Sequence, residues 1–492
     1  MASAPILSLI LSMSIPPLCS MFMQYTYNFV DCIFVSHVSE NALTAVSLSF
    51  PITTLMIALS IWIGVGINVL IARALGEGNQ DKANSIVSHG LIFSSSLGTL
   101  LVLLLLVIIK PYFNAFVDDP DIYPLCIQYM TICAFFQLPS MVHIAIQKII
   151  QGTGNMLAPM GFQMAGVALN FILDPLLIFG IGVFPALGVQ GAAISTVSGY
   201  TFSMLLGFYV LIFTKQRVRI KTRGLKIEPS IFKNIVIIGL PSLVMNALGA
   251  FMVSFVNIFL IAYSTTAVAF FGAYFKAQQA IVMTVNGLIQ GCIPIMSFNY
   301  GAGNKERLKQ AFRYGTVIAI IMMGAGGALL CIFPKEILYI FEASDDMMSF
   351  GVPALRIMAA SYIFNGIATM VASYMQSCGK VRYSIIINLM RQLGFLLPSM
   401  WLLSNLIGMI GIWYSFIIAE VLTCLYCAYI YIAVSLSNTA ARHTEKTSLR
   451  IYPHARFRRQ YFYLCRRRHI AFFKGSMSIV TILRVICMHD YA

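Results

Sequence analysis

The same landmarks occur twice along this chain, 225 residues apart, with no insertion between them. Gly76-x-Gly78-Asn79 returns as Gly301-x-Gly303-Asn304, and Gln151-x-x-Gly154 as Gln376-x-x-Gly379. Pro16, Gly66, Lys82 and Gly90 are answered by Pro241, Gly291, Arg307 and Gly315. A fixed period of this length means that one structural unit has been laid down twice, so any fold must accommodate both copies.

The solvent of that fold follows from composition. With 59% hydrophobic and 10% charged residues, a chain of 492 residues carries more apolar surface than a water-soluble core can hide, and lipid must cover the rest. The first apolar stretch has no basic leader and no small-residue cleavage site, and is read as a span. Cys424-x-x-Cys427 lies in an apolar helical run without a second pair, which favours ordinary helix cysteines over a metal or redox centre. The net charge of +15 would suit nucleic acid, but its distribution excludes that partner: 11 of the 32 Lys and Arg follow residue 438, and most others sit between apolar runs.

Apolar runs of helical length fall near 13–36, 45–73, 88–110, 123–147, 157–180 and 187–213, then near 231–262, 266–297, 312–333, 350–375, 383–404 and 407–436. The expected fold class is therefore all-α and polytopic, with twelve membrane helices, six in each copy. Segments after the even-numbered spans carry Arg73, Lys82, Lys148, the run from Lys215 to Lys233, Lys305, Arg307, Lys309, Arg313, Lys380 and Arg382. Those after the odd-numbered spans hold Lys110 and Lys335 beside Asp118, Asp119, Asp121, Glu342, Asp345 and Asp346. By the positive-inside rule both termini are expected to be cytoplasmic.

An even number of spans per copy makes both halves face the same way, related by a pseudo-two-fold axis along the membrane normal with a cavity between them. The expected division is an N-lobe at 1–214, a basic linker at 215–229, a C-lobe at 230–437 and a basic tail at 438–492. The linker reads as a solvated tether drawn to the anionic leaflet. The tail has no counterpart in the repeat and reads as a disordered, surface-bound or aberrant extension.

Charges inside spans are expensive and mark candidate sites. They are Asp31, Asp174, Lys276, Arg356, Arg391 and Glu420. For Arg356, Arg391 and Glu420 the favoured reading is snorkelling or a structural ion pair. Asp31 and Asp174 differ: Tyr27 precedes Asp31, and Asn170 precedes Asp174, by four residues, so each pair shares a helix face. Two carboxylates, an amide and a phenol are hard ligands suited to Na⁺, and the same carboxylates, desolvated together, suit a proton. At the 225-residue offset Asp31 faces Val256, or Asn257 if one residue is gapped, and Asp174 faces Ser399, so the backbone landmarks repeat while the charge does not. Pro16 and Pro17 interrupt the first span, as a hinge or a static kink. Gln24, with Ser140, His143 and Gln147 at helical spacing, is a candidate for lining the cavity or, equally, for hydrogen bonds from helix to helix. The 27 Met and 35 Phe suit a cavity accepting varied shapes, cations included.

Residues 5–436 resemble the MATE (multidrug and toxic compound extrusion) transporters, in the DinF-like branch that includes MepA-type pumps. The resemblance rests on Tyr27-x-x-x-Asp31, Ala74-Leu75-Gly76-Glu77-Gly78-Asn79, Gln151-Gly152-Thr153-Gly154-Asn155, Asn170-x-x-x-Asp174, Gly191-Ala192-Ala193-Ile194-Ser195-Thr196 and Asn299-Tyr300-Gly301-Ala302-Gly303-Asn304. It implies a multi-pass protein of the bacterial plasma (inner) membrane, acting as a monomer without enzymatic activity, catalytic residues or cofactor. Such a protein exports organic cations or amphiphilic drugs in exchange for inward H⁺ or Na⁺. By the same resemblance Asp31, Asn170 and Asp174 match an N-lobe cation site that can take Na⁺, with Tyr27 and Thr196 beside it, and Pro16 matches a bending proline. The NorM-like branch places acidic residues in the seventh and tenth helices, where 231–262 and 350–375 have none. A lipid-linked oligosaccharide flippase of the same architecture is the alternative, and requires a basic cavity for pyrophosphate. Its candidates are Lys276, Arg356 and Arg391.

Overall fold

The structure, a computed structural model, describes residues 2–451 apart from 118, 136, 183, 222 and 223, and side chains as far as 433 apart from those at 28, 29, 32 and 250. Asp118, two linker residues and 452–492 thus lie outside the described residues.

Helices account for nearly all of the described chain, and no strand occurs among the described residues. The first copy comprises α1 (Ile6–Ser36), α2 (Glu40–Gly76), α3 (Gln80–Phe116), α4 (Ile122–Phe135), α5 (Gln137–Gly152), α6 (Leu157–Phe179) and α7 (Val189–Phe213). The second comprises α8 (Pro229–Ile261), α9 (Thr265–Gly301), α10 (Lys305–Ile332), a short α11 (Pro334–Ile340), α12 (Asp345–Ala359), α13 (Ser361–Ser377), α14 (Val381–Leu389), a π-helical turn (Met390–Leu396), α15 (Leu397–Ile407) and α16 (Met409–Ile451). The pairs α4–α5 and α12–α13 bend by 45° and 42° at equivalent places. Each bent pair makes one crossing and α14–α15 another, which gives the twelve expected spans. Side chains such as Leu103, Val107, Ile258 and Ile321 are more than half exposed, as lipid-facing residues are. Beyond Thr423 the described chain is a separate unit, the continuation of α16 to Ile451, a helix that runs past the expected boundary at 437.

The repeated Gly-x-Gly-Asn motif performs three jobs in four residues. Gly76 ends α2, where a Cβ would be driven into the backbone of Phe298; Gly301 ends α9, where a Cβ would meet the backbone of Arg73. Phe298 and Arg73 are themselves related by the 225-residue offset, so the contact is reciprocal, as a two-fold axis demands. Gly78 and Gly303 take φ values of +73° and +70° to close the helices in Schellman turns. Asn79 and Asn304 then cap the next helices, accepting from the Lys82 and Arg307 amides at 2.9 and 3.1 Å. The two lobes therefore meet tightly at this end. Arg73 strengthens the seam, donating to the Ser377 carbonyl at 3.1 Å with its guanidinium 5.0 Å above the Tyr300 ring.

Further along, α1 packs on α9 and α2 on α8, each first helix crossing the second helix of the other copy. Small residues make the crossings close: Gly66 lies on the backbone of Ile235, and Gly291 on that of Met13. Trp62 Nε1 donates to the Val236 carbonyl at 2.9 Å, and Ser14 Oγ to the Leu288 carbonyl at 3.3 Å.

The linker departs from the expected solvated tether. Gln80 Nε2 donates to the Arg217 carbonyl at 2.6 Å, and the Arg219 amide donates to Asn84 Oδ1 at 2.9 Å. Ser88 Oγ accepts from the Lys221 amide at 2.8 Å and donates back to its carbonyl, while the Glu228 amide donates to His89 Nε2 at 2.9 Å. Positions 80, 84 and 88 form one stripe of α3, and 217, 219 and 221 alternate along an extended segment, so helix and strap match in period. The intervening Val218 is fully buried and Ile220 packs on the same core. Burial of these two apolar side chains overrides the attraction of their basic neighbours to water.

Candidate cation site and inter-lobe cavity

The N-lobe cluster is assembled by α1, α6 and α7. Gly166 and Gly199 bring α6 and α7 into backbone contact, and Gly191 rests on the Leu177 backbone. That approach places the small-residue face of α7 on Asn170 and Asp174. Ser195 Oγ donates a short hydrogen bond to Asp174 Oδ1, and the hydroxyls of Thr196 and Tyr27 are 2.8 Å apart. Asp174 is fully buried, Asn170 and Tyr27 are buried, and Asp31 is half-buried within electrostatic reach of Asp174. Four polar atoms have no hydrogen-bond partner: Asp31 Oδ1, Asp174 Oδ2, and both side-chain atoms of Asn170. Leaving buried polar groups unpaired costs about 1–3 kcal/mol each, more for charged ones, and three of these four atoms are oxygens able to accept a proton or a cation. The donors are oxygen-rich, and no cluster of three His, Cys, Asp or Glu occurs among the described residues. The set therefore suits a proton or a hard monovalent cation rather than a transition metal.

Two adjoining spaces lie near this cluster. The smaller, about 30 Å³, is lined by Tyr27, Asn170, Thr196 and neighbours. The larger, about 260 Å³, lies between the lobes. Gln24, His143, Gln163 and Tyr200 line both. Amides are chained along this shared lining: Gln147 Nε2 donates to Gln163 Oε1 at 2.7 Å, and Gln163 Nε2 to Gln24 Oε1 at 3.2 Å, linking α5, α6 and α1. Gln24, His143 and Gln147 line the large cavity, with Gln24 and Gln147 also bonded from helix to helix through Gln163, while Ser140 is buried outside the lining of both spaces.

Lys148 requires a correction. It is not a loop charge: α5 continues to Gly152, and Lys148 is buried inside it, lining the large cavity. Its Nζ donates to Gln151 Oε1 at 2.9 Å and, across the lobes, to Gln290 Oε1 at 2.7 Å.

The model of the family described as MatE matches residues 16–176 and again 241–402. The same model thus recognises both copies, starting each time at one of the paired prolines, Pro16 and Pro241. The chain belongs to the MATE family. It is 26% identical to a Shewanella oneidensis protein named FAD transporter, over 87% of this chain and 95% of that protein. It is 25% identical to the multidrug export protein MepA of Staphylococcus aureus (strain NCTC 8325 / PS 47), over 86% and 92%. A solved structure described as the outward-facing conformation of a multidrug resistance MATE family transporter of the MOP superfamily superposes with a TM-score of 0.82, at 25% identity, covering 88% of this chain and 97% of that one.

In this MATE transporter the second lobe lacks the carboxylate cluster. Val256 is fully buried, and Ser399 Oγ is spent on its own helix, donating to the Phe395 carbonyl at 2.6 Å. Arg391, on the π-helical turn, instead pairs with Glu420 at 2.6 Å, and Asn365 Nδ2 donates to the same Glu420 oxygen at 3.3 Å. These are the structural ion pair that was expected. Lys276 and Arg356 are exposed.

Residue reading missed Ser195, Gln163, Tyr200, Lys148 and Gln290. Gln163 lies seven residues before Asn170, on the same face of α6, and that periodicity was a usable signal. Ser195 sits inside a quoted motif, but its partner across the helix pair has no signal in one chain.

Proposed function

We propose that this MATE-family chain exports amphiphilic small molecules from the bacterial cytoplasm, driven by inward H⁺ or Na⁺, as a monomer with both termini cytoplasmic. The observation that carries the reading is the cluster of unpartnered polar atoms on Asp31, Asn170 and Asp174, near an inter-lobe cavity lined in part by the hydrogen-bonded amides of Gln24, Gln147 and Gln163. Gln24, Tyr27 and Asp31 all belong to α1, so a cation held at Asp31 and cargo touching Gln24 act on one helix. Exchange then requires that the two ligands favour opposite lobe arrangements. With the Gly-x-Gly-Asn turns on the cytoplasmic side, the seam at Arg73 and Gly301 closes that side in the present arrangement.

The test is uptake of fluorescent amphiphiles, ethidium and carboxyfluorescein in turn, into everted membrane vesicles whose lumen is loaded with H⁺ or Na⁺. Asp31→Asn and Asp174→Asn should each reduce gradient-driven uptake at least tenfold at unchanged membrane abundance. Undiminished transport in both variants would sink the cation-site assignment, and the gradient that drives the wild type identifies the ion.

Lys148 favours a second reading of the cargo. The relative named FAD transporter makes a flavin nucleotide, which is anionic, a reasonable counterpart to a cavity with a buried lysine. The flippase alternative is not favoured: Lys276 and Arg356 are exposed, and Arg391 is taken by Glu420, so the cations it needs do not gather in the cavity.

A further inference from the structure

We infer that the inter-lobe cavity receives the anionic group of its cargo at Lys148, so that amphiphilic anions are favoured over the organic cations that family resemblance implies. The inference rests on the reading that cargo passes through this cavity, and it assigns the chemistry of that cargo.

Among the described residues, Lys148 is the one Lys, Arg, Asp or Glu that lines the large cavity. Its Nζ bonds are made to the neutral amide oxygens of Gln151 and Gln290, so no carboxylate offsets its charge through them. An intramembrane cation held by amides alone is costly to keep and is best explained by a ligand that completes it. Asp31 and Asp174 are not among the residues that line the large cavity. An organic cation there would therefore face a like charge with no carboxylate in the lining to offset it.

The remaining lining agrees. Eight Asn or Gln side chains line the cavity, and although six of them already donate within the protein, the lining is polar and uncharged apart from Lys148. Tyr200 is the one Phe, Trp or Tyr in the described lining of the large cavity, so few ring faces are offered there to a cation. Anion binding also has a mechanical consequence. The Lys148–Gln290 bond crosses the lobes, and an anion that draws Nζ away from Gln290 loosens that tie between α5 and α9.

Two xanthene dyes of opposite charge, fluorescein and rhodamine 123, test the assignment by fluorescence anisotropy on the purified full-length protein, with no ion gradient. Wild type should bind fluorescein about tenfold more tightly than rhodamine 123, the scale of one charge-assisted contact. Lys148→Gln should weaken fluorescein about tenfold and leave rhodamine 123 unchanged or tighter; Lys148→Arg should keep the wild-type order. Preference for rhodamine 123, equal affinities, or no binding of either dye by wild type would each overturn the inference, whether or not the glutamine variant folds. Fluorescein affinity that is unchanged in a folded Lys148→Gln protein would do the same. Because no gradient is used, failure of driven uptake with intact anion preference would count against the export reading alone. Driven uptake with cation preference would count against this inference alone.

Discussion

Replacing Gly76 by alanine tests whether the two lobes meet where the repeat is strictest. The added Cβ would stand 2.9 Å from the Phe298 carbonyl carbon and 3.0 Å from the Ala302 nitrogen, with the Phe298 oxygen closer still. Unstrained carbon contacts lie at about 3.5–4.0 Å and the Phe298 oxygen is the nearest atom, so α2 and α9 must part by roughly 1–1.5 Å. Both sides of the contact are helical backbone, and no rotamer can relieve it. Overpacking of this kind costs about 1–3 kcal/mol, which multiplies the population of arrangements with the seam open by roughly 5–150. Hydrogen–deuterium exchange with mass spectrometry reads that directly: amides of 298–304, on the far side of the seam, should exchange faster by the same factor. Gly78→Ala is the control. Gly78 has φ +73° and open space around the Cβ position, so its strain of about 1–2 kcal/mol stays within its own turn. If Gly76→Ala leaves exchange across 298–304 at the wild-type rate, or if Gly78→Ala raises it equally, the reciprocal seam is not what holds this end shut.

Breaking the Arg391–Glu420 pair by Glu420→Gln should cost about 3–5 kcal/mol and lower Tm by roughly 5 °C or more, because both side chains are less than one-fifth exposed. The double variant Arg391→Met/Glu420→Leu should recover most of that loss in a thiol-dye or static-light-scattering melt, and a single variant melting like wild type would contradict the pairing. Asn84→Ala with Ser88→Ala removes three bonds to the linker, and limited trypsin digestion between 217 and 226 should then run roughly tenfold faster; an unchanged rate would mean that these three bonds do not hold the strap. Pro16→Ala should reduce gradient-driven vesicle uptake at least fivefold while Pro241→Ala changes it less than twofold, and equal losses would remove the distinction between α1 and α8.

The parts that were legible in the sequence are those whose physics is local or repeated. Membrane spans need only length and hydropathy, and the pairing of Asn170 with Asp174 needs only the helix period. The Gly-x-Gly-Asn repeat announced two copies, but that its first glycine is a contact between lobes depends on a partner 222 residues away. Lys148 was misplaced because hydropathy ends a span at the first charge, whereas the end of this helix is set by the turn at Gly154, with φ +92°. Two amide oxygens make the burial tolerable, and one of them, Gln290, belongs to the other lobe. The strap was misread for the opposite reason. Arg217-Val218-Arg219-Ile220-Lys221 does alternate with period two, but three basic residues dominate a composition-based reading of so short a segment.

The difference expected between the two prolines follows from one pair of equivalent glutamines. Gln376 Nε2 donates to the Ile238 carbonyl at 2.9 Å and to Ser242 Oγ at 3.0 Å, so it spans Pro241 and staples α13 to α8 on both sides of the break. A proline removes a helix bond at that point, and the staple supplies substitutes that hold the interrupted segment in one geometry. Its counterpart Gln151 accepts from Lys148 instead. Around Pro16 and Pro17, α1 is tied to α9 instead, by Ser14 on one side and by Leu18 packed on Gly287 on the other. The two prolines are thus held by different partners, which is the physical ground for expecting them to respond differently. α1 is also the helix that carries Gln24, Tyr27 and Asp31. Lys148, the partner of Gln151, is the residue inferred to meet the cargo, so the proposed cargo contact and the difference between the equivalent glutamines meet at one side chain.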